Sequence, residues 1–188
     1  MELQQAIDER KSYRSLEKVS ITKETIKELA EAASLAPSCY NNQPWRYVFV
    51  YEDEKLKQLH EALSKGTEWM TLGSMIVAIV SQKELDCVVK NREYYLYDTG
   101  MSTAFMMLKA TELGLATHLI AGYSETKTKK ILGVPDDMTV ISLMAVGKKS
   151  EEINPLLSEE QAESEGKRPE RFPMKRITHH NTFNKEKE

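Results

Sequence analysis

Two prolines, Pro37 and Pro44, constrain this chain more than any other pair of residues. Proline removes a backbone donor and clashes with the preceding helical turn, so the helix expected before Pro37 must stop there. Between the two lie Ser38, Cys39, Asn41, Asn42 and Gln43, a crowd of short polar side chains that favour turns. Behind them "RYVFVY", residues 46–51, reads as a buried strand. The chain therefore exposes amides on a loop of restricted backbone at the mouth of a strand.

The rest of the pattern alternates. Leu3, Ala6, Ile7 and Arg10 recur at helical spacing, predicting a helix over 2–11. Thr22 is a natural N-cap for a second helix with Ile26, Leu29, Ala30 and Ala33 on its apolar face. A strand is expected at 46–51, a helix at 54–64 and a strand at 74–81. A long helix follows from about Arg92 to Leu113, ended by Gly114. Ser124 caps a helix that stops at Gly133 and Pro135, and the β-branched run 138–147 predicts a further strand.

With 188 residues, one domain is expected. From Lys148 the composition shifts to a 41-residue tail with nine acidic and nine basic residues. Its apolar residues, among them Ile153, Leu157, Phe172, Ile177 and Phe183, are too sparse for a second core. It reads as an arm packed on another surface, or alternatively as a partly disordered tail.

Several function classes fall away. A net charge of -3 supplies no basic field for nucleic acid or a membrane surface. The longest apolar run, Met75–Val80, is far too short to span a bilayer. The eight glycines never come closer than the seven positions between Gly66 and Gly73, which excludes GxGxxG and the P-loop. Cys39 and Cys87 make neither a CxxC nor a metal spacing, and "MELQQAIDER" has no signal-peptide core, so a reducing cytoplasm is expected. His179 and His180 lack a third ligand at a useful spacing, and no metal is expected. His60 and His118 read as structural.

Two stretches carry chemistry. Arg10, Lys11, Ser12 and Arg14 place three cations and a hydroxyl where the first helix ends, a donor set for a phosphate monoester. The same run could simply complement a helix dipole. Asn41 and Gln43 each offer a donor and an acceptor, the mixture that a flavin or pterin edge requires. They could equally serve an amide-rich turn, with Trp45 in the core.

Taken together and in order, these segments resemble the FMN-dependent nitroreductase family over nearly the entire chain. The matching pieces are Arg10–Arg14, "APSCYNNQPW" with its strand, "YDTGMSTAFMMLKATELGLATHLIAGY" at 97–123, "ILGVPDDMTVISLMAVGK" at 131–148, and "RFPMKRITHHNTF" at 171–183. The resemblance implies an α+β fold: a central, mainly antiparallel sheet flanked by helices, with a C-terminal arm (148–188) wrapping a partner subunit. It implies a homodimer with FMN at the interface and NADH or NADPH as co-substrate. The phosphate would be held by Arg10, Lys11, Ser12, Arg14 and Arg171, with Arg14 near the pyrimidine edge of the ring. Asn41 and Gln43 would face the ribityl chain or ring, Pro37, Ser38 and Cys39 would come from the partner, and Ile120, Ala121 and Gly122 would lie against the ring.

The chain departs from the family at Ala104-Phe105, where many members have Gln-Asn, between Trp69 and Ile79, where an Ala-Pro is missing, and in its short length. The activity implied is hydride transfer from NAD(P)H to a small electron-poor acceptor, a nitroaromatic or quinone, by a ping-pong mechanism with no catalytic side chain. Ene-reduction, reductive dehalogenation, flavin fragmentation and non-catalytic flavin binding use the same fold.

Overall fold

Alternation along the strand Met75–Ser81 (β3) organises the molecule. In this computed structural model, which describes residues 1–184, all seven residues of β3 are buried, because apolar side chains leave both faces. Met75, Val77 and Ile79 point to one layer and Ile76, Ala78 and Val80 to the other. The sheet built on β3 is antiparallel: Arg46–Val50 (β2) lies on one side and Thr139–Lys149 (β7) on the other. The eleven-residue β7 also pairs Ala116–Ile120 (β6) through Leu143–Gly147, and Leu16–Glu17 (β1) through Lys148–Lys149.

Helices cover the two faces. Lys23–Ser34 (α2) and Tyr95–Glu112 (α4) bury Leu29, Ala33, Met106 and Ala110 against one face. Asp53–His60 (α3), Glu125–Leu132 (α5) and the 3₁₀ segment Glu68–Leu72 close the other around Leu59, Trp69 and Met70. Leu3–Glu9 (α1) lies beside α4. The expected caps hold: Thr22 Oγ1 accepts from Thr25 N at 3.0 Å, and Gly114 and Gly133 take φ of 74° and 68°. This is the α+β sheet-and-helix fold expected from the sequence.

Three features differ from the reading of the sequence, the first being that the helix expected at 54–64 ends at His60, because Leu63 bridges to Tyr123 beside β6. The long helix starts at Tyr95 rather than Arg92, because Val88–Val89 (β4) and Arg92–Glu93 (β5) pair as a small hairpin ahead of it. The arm begins later than Lys148, which still belongs to β7, and its first half packs on the body of the same chain. There Asn154 is buried, and Ser158 and Gln161 form a capping box that opens Glu159–Glu165 (α6). Farther on, Met174–Ile177 (α7) is short, and Phe172, Met174, Ile177 and Phe183 are exposed. The last four residues of the expected arm lie outside the described residues.

Candidate functional site

At the end of α1, Arg10 leaves helical geometry (ψ 115°) and the chain runs across the sheet margin toward β1. The arm comes back over this crossing. Glu165, at the end of α6, is buried, and its Oε1 accepts from the backbone N–H groups of Arg14 (2.7 Å) and Ser15 (2.6 Å). Its Oε2 lies 4.0 Å from the Arg14 guanidinium, and the Lys11 ammonium donates to the Glu165 carbonyl. Asn154 fastens the same crossing: its N–H donates to Ser15 Oγ, and its amide donates to the carbonyls of Arg14 and Trp69. A buried carboxylate oxygen that accepts from two backbone donors is a rigid peg.

Between this crossing and the returning chain opens a cleft of about 340 Å³ lined by Arg10, Lys11, Ser12, Arg14, His118, Ser164, Lys167, Arg168, Pro169 and Arg171. Six cations meet there. Arg168 is held in place by donating to the carbonyls of Asp8 and Arg10. Burial, and then the nearby Arg168 and Arg171, lower the pKa of Arg10 below the ordinary arginine value. Burial likewise lowers that of Lys11, with Lys149 and Arg168 adding to it and Glu165 opposing. Crowded like charges of this kind are relieved by a bound anion. A phosphate monoester, with several acceptor oxygens, fits the guanidinium forks and the Ser12 hydroxyl.

His118 forms part of the wall from β6. Its ring lies 4.6 Å from that of Trp69, and Nδ1 is 3.1 Å from the Tyr13 carbonyl. Burial lowers its pKa below the ordinary histidine value, with the bond to the Tyr13 carbonyl opposing and the neighbouring arginines adding less. From His118 the strand runs on to Ile120, then to the exposed Ala121 and to Gly122. The Gly122 carbonyl accepts from Ser64 N and Thr67 Oγ1, both at 3.0 Å, and a Cβ at Gly122 would fall 2.9 Å from Thr67 Cγ2. A side chain at this position would force the Thr67 methyl to shift.

The proline-bounded loop is ordered as the sequence suggests, by means the sequence does not reveal. Tyr40, Asn41 and Gln43 adopt φ of 48°, 59° and 50°, a left-handed conformation that costs a non-glycine residue about 1–2 kcal/mol. Ser38 Oγ accepts from Gln43 N at 2.9 Å, Asp98 Oδ2 accepts from Cys39 N at 2.6 Å, and Gln43 Nε2 donates to the Asn41 carbonyl. Trp45 is buried, anchoring the loop's end.

Within the chain, Arg10, Lys11, Ser12, Arg14 and Arg171 come together, and β6 leads from their cleft to Ile120–Gly122. Pro37, Ser38 and Cys39 do not join them. They line a different cleft with Tyr40, Tyr97, Asp98 and Met101, while Asn41 and Gln43 lie on the surface. Sequence reasoning missed Arg168, Lys167, His118 and Glu165. A signal existed for the first two, a basic pair beside Pro169 just ahead of Arg171. It also missed that Cys39 and Cys87, 48 positions apart, form a disulfide with Cα atoms 6.1 Å apart. Asp86 stands beside them, with its carboxylate oxygen and both sulfurs within 4.8 Å of one another.

Comparison with known proteins gives a single answer. The family model described as "Nitroreductase family" matches residues 7–69 and 67–148. A relative from Archaeoglobus fulgidus, provisionally named NADH dehydrogenase/NAD(P)H nitroreductase, is 28% identical over 144 residues, covering 73% of this chain and 80% of its own. The oxygen-insensitive NADPH nitroreductase of Helicobacter acinonychis is 25% identical, with 80% and 89% covered. Among solved structures, a nitroreductase family protein from Clostridium novyi NT superposes with a TM-score of 0.75 at 28% identity, over 80% of this chain and 87% of its own. One described as an oxidoreductase containing FMN superposes with a TM-score of 0.83 at 24% identity, over 95% and 91%, and shares the fold. The chain belongs to the nitroreductase family, a family of oxidoreductases.

Proposed function

We propose that the protein binds FMN and passes hydride from NADH or NADPH to a small electron-poor acceptor, a nitroaromatic or a quinone. The observation that carries this reading is the basic cleft, whose six cations and serine hydroxyl suit a phosphate monoester. Arg10, Lys11, Ser12 and Arg171 would hold the phosphate. Arg14, fixed by Glu165, would turn its guanidinium to the pyrimidine edge of the ring. Asn41 and Gln43 would meet the ribityl chain or ring, and Ile120, Ala121 and Gly122 would lie against the ring. FMN, once bound, supplies the hydride chemistry itself. The chain's own part is to bind, orient and exclude water, and a cation at the pyrimidine edge favours the more electron-rich ring.

Pro37, Ser38 and Cys39 line a cleft apart from the basic one, so in this reading they serve the flavin of a second copy. The exposed Tyr40, Leu96, Tyr97 and Phe105 supply apolar surface on the same loop and helix for that pairing. The protein should therefore sediment as a homodimer at micromolar concentration. A flavin-loaded monomer would refute the shared site.

One pocket used in turn by donor and acceptor predicts ping-pong kinetics. Initial rates of NAD(P)H oxidation, measured at several fixed acceptor concentrations, should give parallel double-reciprocal lines. Intersecting lines would show that both substrates bind together. The decisive first measurement is the flavin itself, read as absorbance of the purified protein and as its bleaching by NADH or NADPH without oxygen.

A further inference from the structure

Cys39 stands in the loop that the proposed function assigns to the partner's flavin, and Cys87 stands at the root of the β4–β5 hairpin. The disulfide between them sits in a polar clasp. Asn42 Nδ2 donates to Asp86 Oδ1 at 3.3 Å and lies 3.4 Å from Cys87 Sγ. The Cys87 N–H donates to Asp86 Oδ1 at 2.8 Å, and the Cys39 N–H donates to Asp98 Oδ2 at 2.6 Å. Loop, hairpin and the start of α4 are thus tied at one point. The loop so tied holds three non-glycine residues at positive φ, a shape that persists only while its surroundings enforce it. Both cysteines are partly exposed in the chain.

We propose that Cys39–Cys87 is a reversible thiol–disulfide exchange site that locks the Pro37–Gln43 loop in its flavin-facing shape. Its reagents are low-molecular-weight dithiols and disulfides. In the opening direction, a thiolate of the dithiol attacks the Cys87 sulfur. The Cys39–Cys87 bond breaks, and Cys39 leaves as a thiolate that takes up a proton. The reagent's second thiol then displaces Cys87, which is protonated in turn. The protein gains two electrons and two protons, and the dithiol becomes a cyclic disulfide. Closure is the reverse, with a small disulfide as oxidant. In the reducing compartment expected from the sequence the pair would rest open and close under oxidation. The open loop loses its covalent tie, keeping only the Ser38 and Asp98 hydrogen bonds against the cost of its left-handed residues. Amides 38–43 should then exchange faster, and a ligand needing the ordered loop should bind more weakly, by roughly tenfold for the extra ordering.

The effect on flavin rests on the function proposed above, so the experiment has two arms. Hydrogen exchange is followed at residues 36–45 in the air-oxidised protein, in the same protein after dithiothreitol, and in Cys87→Ser. FMN affinity is titrated in all three by fluorescence quenching. Expected are no free thiols before reduction and two after, several-fold faster exchange in both opened forms, and FMN binding weakened about tenfold in each. Free thiols in the air-oxidised protein, or loop exchange unchanged on reduction and in Cys87→Ser, would overturn the site. Faster exchange with unchanged FMN affinity would overturn its link to the flavin. No FMN binding in any form would count against the proposed function alone, and loop exchange would still decide for or against the crosslink as a lock.

Discussion

An Arg10→Ala/Arg171→Ala double variant is expected to purify colourless and to bind added FMN roughly 10²- to 10⁴-fold more weakly than the parent. Each guanidinium donates charge-assisted bonds worth about 1.5–3 kcal/mol when the acceptor is an anion. Both side chains line the basic cleft and reach it from opposite ends of the sequence. The losses should fall short of additive, because Arg171 is among the groups that crowd Arg10, so removing one relieves the other. The check is a fluorescence-quench titration at two ionic strengths, with circular dichroism to confirm that the variant is folded. The parent should lose affinity with salt more steeply than the variant. Full flavin occupancy in the variant would remove the phosphate assignment.

Trp69→Ala should lower the unfolding free energy by about 3–5 kcal/mol, a large part of the 5–15 typical of a domain. The indole is 2% exposed and lies at the junction of three elements. Its ring packs on His118 of β6 and belongs to the core cluster with Leu59 and Met70. Its carbonyl accepts from the buried Asn154 of the arm. Alanine would leave a cavity the surrounding strands cannot fill, and His118 would lose the ring that fixes it on the wall of the cleft. Urea midpoints measure the change, and flavin affinity should fall with it through loosened positioning. A loss under about 1 kcal/mol would mean that the arm and the sheet do not pack on the indole as described.

The parts of the fold that declare themselves in sequence are those whose local physics agrees with the global packing. Thr22, Gly114 and Gly133 act as caps because their chemistry suits caps anywhere, and β3 and β7 are strands because their apolar residues can bury on both faces. The hairpin Val88–Val89/Arg92–Glu93 escaped because two-residue strands carry no periodicity. Within the candidate site, Arg10–Arg14 is legible as a contiguous run of donors. Glu165 is one of nine acidic residues in the tail, and only the fold brings it to the Arg14 and Ser15 N–H groups. The Cys39–Cys87 pairing is a long-range contact of the same kind. The turn at Tyr40–Gln43 could be foreseen as a turn, but its left-handed backbone depends on Ser38, Asp98 and that disulfide.

β7 bonds to β1, β3 and β6, yet its last residue is the 149th of the chain. On the ribosome, β2 can pair with β3 once Ser81 emerges, but the other edge of β3 must wait for β7. At ordinary elongation rates the 68 residues from Gln82 to Lys149 take roughly 3–14 s to synthesise. Throughout that interval a nascent chain carries "MIVAIVS" with a bare apolar edge, the kind of segment that other strands add to. Birth of this protein is therefore its most aggregation-prone moment, and a holdase bound to residues 75–81 would protect it until translation reaches β7.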